Sequence, residues 1–91
     1  MPPKRTEQVR TEILTQCYVY RPGARDAERM ARATRKEGEL IDATEAEYAI
    51  EAAYLQGKGL VEEVPDALAQ GHRRWKITAA GIDFLEARGL V

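Results

Sequence analysis

Nine of the fifteen basic side chains of this 91-residue chain cluster in three segments, and they are the residues best suited to binding chemistry. Guanidinium and ammonium groups form short, charge-assisted hydrogen bonds with phosphate oxygens. The pattern therefore indicates contact with a phosphate backbone, although a run of charges on a solvated helix face is the plain alternative. The three segments contribute Lys4 and Arg5, then Arg29, Arg32, Arg35 and Lys36, then His72, Arg73 and Arg74.

The net charge of −1 conceals an uneven distribution of charge along the chain. Residues 1–38 carry 9 Lys/Arg against 5 Asp/Glu, residues 39–69 carry 1 against 8, and residues 70–91 carry 4 against 2. The two ends are therefore basic and the middle is acidic. Such an asymmetry bears on the choice of partner more than the total charge does.

Other kinds of chemistry have little support in the sequence. The single histidine, His72, has no cysteine or second histidine near it, so a metal site is not expected. Cys17 falls on an apolar helical stripe and is expected to be a buried, small hydrophobic residue. No nucleophile–base pair and no glycine-rich phosphate loop is visible, so we expect neither an enzyme nor a cofactor.

Cysteine usage and hydropathy indicate the cellular compartment. A single cysteine cannot form an intramolecular disulfide, which fits a reducing cytoplasm. No apolar run approaches the roughly 20 residues that span a bilayer. The basic N-terminus has no apolar segment behind it and does not resemble a signal peptide. We therefore expect a cytoplasmic protein without a membrane partner.

Helical spacing, capping residues and helix breakers predict the elements that position the basic side chains. Residues 1–5 are expected to form a flexible basic arm, and residues 6–91 a single domain. Between the second and third helices, Leu40 and Ile41 are expected to anchor the turn. The predicted elements are helices at 6–20, 24–36, 44–57 (capped by Asp42 or Thr44) and 79–88, and strands at 60–64 and 72–77.

Two stretches carry a resemblance to a known superfamily. The segment from Tyr54 to Val61 reads YLQGKGLV, and the segment from Trp75 to Glu86 reads WKITAAGIDFLE. Together with the element order, they resemble the winged helix-turn-helix superfamily of small bacterial, archaeal and phage regulators. The resemblance implies an α+β, mostly helical fold, a winged helix with a three-helix head, a two-stranded wing and a C-terminal helix. It also implies that the partner is double-stranded DNA.

In that superfamily the third helix enters the major groove, the second crosses the phosphate backbone, and the wing lies along the DNA. Thr44 and Tyr54 then become the expected contacts to base edges. Helical angles place Glu47, Glu51 and Lys58 outward beside them. The apolar arc of the same helix is expected to hold Tyr48, Ala49, Ala52, Ala53 and Leu55. Two outward carboxylates would repel phosphates. A DNA-binding transcriptional regulator is therefore one hypothesis, and a protein–protein interaction module that docks through an acidic third helix is the other.

The last helix carries an apolar stripe that the core does not obviously need. Phe84, Ala87 and Val91 recur at helical spacing, away from the face of Ile82 and Leu85. Such a stripe predicts pairing of two copies about a two-fold axis. The simpler alternative is that this helix covers the back of the sheet.

Overall fold

The computed structural model describes residues 4–65 and 73–91, where the elements follow the predicted order with one addition. The addition is a two-residue strand that precedes the second helix. In chain order the elements are α1 (Arg5–Tyr20), β1 (Arg25–Asp26), α2 (Ala27–Glu37), α3 (Glu45–Gly57), β2 (Val61–Val64), β3 (Arg74–Ile77) and α4 (Ala79–Ala87).

Capping side chains fix where three of these helices begin. Asp26 accepts a hydrogen bond from the third residue of α2, Thr44 does the same for α3, and Thr78 for α4, at 2.7, 3.2 and 3.0 Å. Each bond satisfies a backbone N–H that has no partner within its helix. Of the two predicted caps for α3, Thr44 is therefore the one used.

The first helix begins earlier than predicted. Thr6 lies inside α1, and Lys4 occupies the N-cap position without a side-chain hydrogen bond. Arg5, which the sequence placed in a flexible arm, is the first helical residue. Its guanidinium is held by carboxylates near the start of α3, and this tertiary contact explains the earlier start.

The second helix begins later than predicted, at Ala27 rather than near Ala24. The two residues before it are extended and pair with β3 as strand β1. The sheet has the strand order β1-β3-β2, and both pairings are antiparallel. A strand of two residues is too short to show the alternation of apolar and polar side chains from which strands are predicted.

The core lies between the helices and one face of the sheet. Trp75 of β3 is buried, as its apolar ring suggests, and its Nε1 donates to Oε1 of Gln56 at 3.2 Å. Thr34 is buried among apolar side chains, yet its hydroxyl accepts from Gln16 of α1 and Tyr48 of α3, at 2.9 and 2.6 Å. This small polar network connects the first three helices.

Gly81 permits close contact between α4 and the sheet. A Cβ at this position would lie 2.2 Å from the carbonyl oxygen of Leu60 and 2.7 Å from a side-chain carbon of Ile77. Thr78 stabilises the same junction, because its hydroxyl donates to the Gly59 carbonyl at 2.6 Å. The Thr-x-x-Gly spacing in the sequence is thus a packing requirement.

This arrangement is a winged helix, mostly helical and of the α+β class, as the resemblance implies. The three-helix head is α1, α2 and α3, and β2 and β3 are the strands of the wing. Within the described residues, no helix is both long and apolar enough to cross a bilayer.

Candidate nucleic-acid interface

Helices α2 and α3 form the helix-turn-helix unit, joined by residues 38–44. Gly38 ends α2 with a φ of 81°, which favours glycine. Leu40 packs against the core, but Ile41 is 78% exposed, so only one of the two predicted anchors is correct. Ala43 is buried instead, and its carbonyl accepts a hydrogen bond from the guanidinium of Arg35. Arg35 therefore braces the turn.

The predicted outward face of α3 was wrong for its two glutamates, whereas Thr44, Tyr54 and Lys58 are exposed as predicted. Glu51 is only 8% exposed, and Glu47 is half-buried. Both carboxylates point toward α1, where they form ion pairs with Arg5 and Arg10. The predicted face was rotated away from the true one because the apolar arc was taken to include Ala53, which is exposed, whereas Glu51 is buried in an ion pair.

Arginines of α1 neutralise these two carboxylates. Nε of Arg10 lies 2.7 Å from Oε1 of Glu51. Arg5 makes two hydrogen bonds to Glu47, at 2.7 and 3.1 Å, and a third to Asp42 at 2.8 Å. Its guanidinium lowers the pKa of Asp42. The acidity of this part of the sequence is thus largely compensated within the fold.

The true outward face of α3 is uncharged at its centre, although Glu45 and Lys58 are exposed toward the two ends of the helix. Its centre consists of Ala46, Ile50, Ala53 and Gly57, which are all exposed, and Ile50 is exposed to 66%. These residues lie opposite the buried arc of the helix. A helix surface made of small, neutral side chains can approach a negatively charged partner without electrostatic repulsion.

The exposed face of α2 carries the predicted basic residues. Arg29, Arg32 and Lys36 are all exposed, opposite the buried residues of that helix. Arg29 lies 3.6 Å from Asp26, and Arg32 lies 2.6 Å from Glu28. Such exposed pairs contribute only about 0–1 kcal/mol. A phosphate can therefore replace either carboxylate at little cost.

The start of β3 supplies a further cation beside the wing. Arg73 makes two 3.0 Å hydrogen bonds to Glu63 of β2, and these bonds lower the pKa of that carboxyl. Its guanidinium also lies 5.3 Å from the centre of the Trp75 ring. Arg74 is half-buried and donates to the carbonyl of Ala24 at 3.2 Å, which ties β3 to the segment before β1. His72 lies outside the described residues.

Strand register brings α2 and the wing to the same end of the sheet. Asp26, the last residue of β1, pairs with Arg74, the first residue of β3. Beyond this pair, the next residues along the two segments are Ala27, which begins α2, and Arg73, which precedes β3. Opposed Cα atoms in such a pair are about 4.5–5.5 Å apart. The start of α2 therefore lies beside Arg73, at the end of the wing strands where β3 begins.

The remaining predicted contacts lie near the two ends of α3. Lys4 is exposed immediately before Arg5, whose ion pairs place it near the start of α3. Tyr54 lies at the flank of the outward face, and its ring centre is 3.6 Å from the guanidinium carbon of Arg10. Lys58 is exposed, 5.7 Å from the same ring. The predicted base contact of Tyr54 stays a prediction.

Helix α4 exposes part of its apolar stripe. Phe84 is half-buried against the core and lies under the guanidinium of Arg88, at 4.3 Å. Ala87 and Val91 are exposed, and so is Leu90, which the sequence analysis did not single out. The outer part of the stripe is thus accessible to a second copy.

Sequence reasoning missed two parts of this surface. It did not find the neutral ridge of Ala46, Ile50 and Ala53, nor the arginines that neutralise α3. The ion pairs between α1 and α3 could have been predicted from the sequence. Glu47 and Glu51 are one helical turn apart, and Arg5 and Arg10 are separated by about as much. Matched spacings on two helices of one head favour interhelical ion pairs.

Comparison with solved structures supports the fold. A transcriptional regulator from Clostridium thermocellum superposes with a TM-score of 0.72, at 21% identity, over 91% of this chain and 78% of that one. A PadR family transcription regulator from hypervirulent Clostridium difficile R20291 gives a TM-score of 0.65 at 18% identity, over 87% and 82% of the two chains. No protein-family model matches the sequence, and no curated protein matches it significantly.

Proposed function

We propose that this protein is a DNA-binding transcriptional regulator. In this proposal α3 enters the major groove with its neutral face, and Thr44 at its start contacts a base edge. The cations of α2 hold one phosphate strand, and the wing lies along the flanking backbone. Both similar solved structures are described as transcription regulators, which supports this function.

The observation that carries the proposal is the inward orientation of the α3 carboxylates. Exposed at the outward face, Glu47 and Glu51 would oppose the phosphates that supply most of the affinity for DNA. Their pairing with Arg5 and Arg10 removes that objection. The centre of the outward face is then neutral, and the proposal adds the cations of α2 and Arg73 as its phosphate contacts.

The alternative function, protein docking through an acidic third helix, loses its basis for the same reason. The two carboxylates that would form the docking surface are occupied by α1. Nothing else on the outward centre of α3 is charged. A basic protein partner would therefore find little complementary charge there.

The proposal extends to assembly and compartment. A second copy packs against the exposed part of the α4 stripe, Ala87 and Val91 with Phe84 behind them, and the two-fold axis spaces two α3 helices for adjacent grooves. The protein works in the cytoplasm, together with the DNA that it binds. It is a binding protein rather than an enzyme and needs no cofactor for this role.

Salt dependence of binding tests the proposal. Fluorescence anisotropy with a short duplex of random sequence gives the affinity of the wild type at rising salt. The affinity should fall by a factor of ten or more between about 50 and 200 mM salt if several phosphates are contacted. In Arg32→Gln/Lys36→Gln the slope of log affinity against log salt should be smaller by about 2.

The matched control is Arg21→Gln/Arg88→Gln, which removes the same charge from residues outside α2, α3 and the wing. This control should keep the slope of the wild type. If the wild type does not bind the duplex at low salt, the proposed function is wrong. Equal slopes in the two double variants would remove α2 from the DNA contact.

A further inference from the structure

The outward face of α3 is a narrow ridge of alkyl groups. Ala46, Ile50 and Ala53 have the i, i+4, i+7 spacing that aligns side chains along one side of a helix. All three are exposed, and Ile50 projects furthest because its neighbours are alanines. A single exposed apolar residue is ordinary. Three in line, at the centre of the face that would enter a groove, restrict what that face can recognise.

The chemistry of base edges makes the choice of ligand specific. In the major groove each base pair presents a pattern of hydrogen-bond donors and acceptors, and thymine alone of the four bases adds an apolar group, its C5 methyl. Alanine and isoleucine side chains can form no hydrogen bond with a base edge. The methyl group of thymine is the apolar group of this pattern that they can contact.

We propose that Ile50, flanked by Ala46 and Ala53, recognises thymine through its C5 methyl group in the major groove. The proposal depends on the proposed DNA binding and adds which base the α3 face selects. The short alanine side chains let the helix backbone approach the base edges. Ile50 then packs against the methyl group of thymine. A polar side chain at this position would leave that methyl group without an apolar neighbour.

Charge complementarity favours DNA over an apolar protein surface as the occupant of this ridge. The ridge is one residue wide, and the neighbouring helix α2 exposes Arg29, Arg32 and Lys36. Exposed cations on the adjacent helix suit the phosphate strands that flank a major groove. They would be poorly matched to an apolar protein partner, whose contact centres are depleted in charge.

Replacement of thymine by deoxyuridine tests the inference, because deoxyuridine lacks the methyl group and keeps the hydrogen-bonding pattern. The probe is the duplex that the wild type enriches from a pool of random sequence, prepared once with thymine and once with deoxyuridine. The wild type should bind the thymine duplex about fourfold more tightly for each methyl group that Ile50 buries. In Ile50→Ala this ratio should fall toward one.

Val19→Ala is the matched control, since Val19 is an exposed apolar residue of α1, and it should keep the ratio of the wild type. Equal binding of the two duplexes by the wild type would overturn the inference and leave DNA binding intact. An undiminished ratio in Ile50→Ala would overturn the assignment to Ile50. If the wild type retains no duplex from the pool, the proposed function fails and the inference with it. If it retains duplexes without enriching any sequence, the inference alone fails.

Discussion

Oε1 of Glu51 lies 2.7 Å from Nε of Arg10, and this ion pair joins the middle of α3 to the first half of α1. The guanidinium of Arg10 also lies over the ring of Tyr54, which follows Glu51 by about one turn of α3. One arginine of α1 therefore orients two side chains of α3. The pair holds the negative charge away from the face that would meet DNA.

Replacement of Arg10 should destabilise the protein. Arg10→Met leaves the nearly buried carboxylate of Glu51 without its partner, and the free energy of unfolding should fall by about 2 kcal/mol. Urea denaturation followed by circular dichroism measures this change. Arg10→Met/Glu51→Gln should recover part of the loss, because the buried charge is removed as well. A single variant as stable as the wild type would show that the pair contributes nothing.

Gly81 gives a test of the junction between α4 and the sheet. In Gly81→Ala the new methyl group would meet the rigid Leu60 carbonyl, so the free energy of unfolding should fall by about 1–3 kcal/mol. Gly57→Ala is the control, because a Cβ there has no neighbour within 4 Å, and helical alanine is favoured over glycine. Equal stabilities of the two variants would contradict this account of the Thr-x-x-Gly spacing.

Cys17 should be unreactive in the folded protein. Burial raises the pKa of its thiol from 9.0 to about 12, so almost no thiolate is present at neutral pH. The unfolded chain loses this proton near pH 9.0 while the folded chain keeps it, so stability should fall as the pH rises from 9 toward 12. Cys17→Ala should lose this component of the pH dependence. Rapid labelling of the native thiol at pH 8 would contradict its burial.

The dimer proposal predicts a molar mass of twice the 10.2 kDa chain in light scattering. Ala87→Glu/Val91→Asp should shift the protein toward the monomer, since like carboxylates would face each other across the two-fold axis. Val19→Asp, which adds a carboxylate to α1, should leave the mass unchanged. A wild type that stays at 10.2 kDa at high concentration would end the proposal of pairing through α4.

Local signals in the sequence were sufficient for most of the fold. Thr44 and Thr78 begin helices where their capping chemistry predicts, and Gly38 ends one. The two motif stretches placed the wing and the last helix correctly. Strand β1 was not predicted, because its two residues are extended only through pairing with β3, which is a tertiary effect.

The candidate site was less predictable because it depends on which face of α3 is buried. Periodicity correctly placed Tyr48, Ala52 and Leu55 inside, but Ala53 was assigned to the core and Glu51 to solvent, and both assignments were wrong. An alanine carries little information about burial, and a glutamate is buried only where a partner reaches it. The partner here comes from α1, 41 positions away in the chain.

The central claim is that the outward centre of α3 contacts DNA, and a carboxylate placed there tests it most directly. Ile50→Glu should weaken binding to a random duplex by about tenfold or more, because a negative charge would face the phosphates at close range. Val19→Glu adds the same charge to an exposed position of α1 and should bind as the wild type does. Thermal melts confirm that both variants stay folded. If Ile50→Glu binds DNA as tightly as Val19→Glu, the α3 face does not lie in the groove.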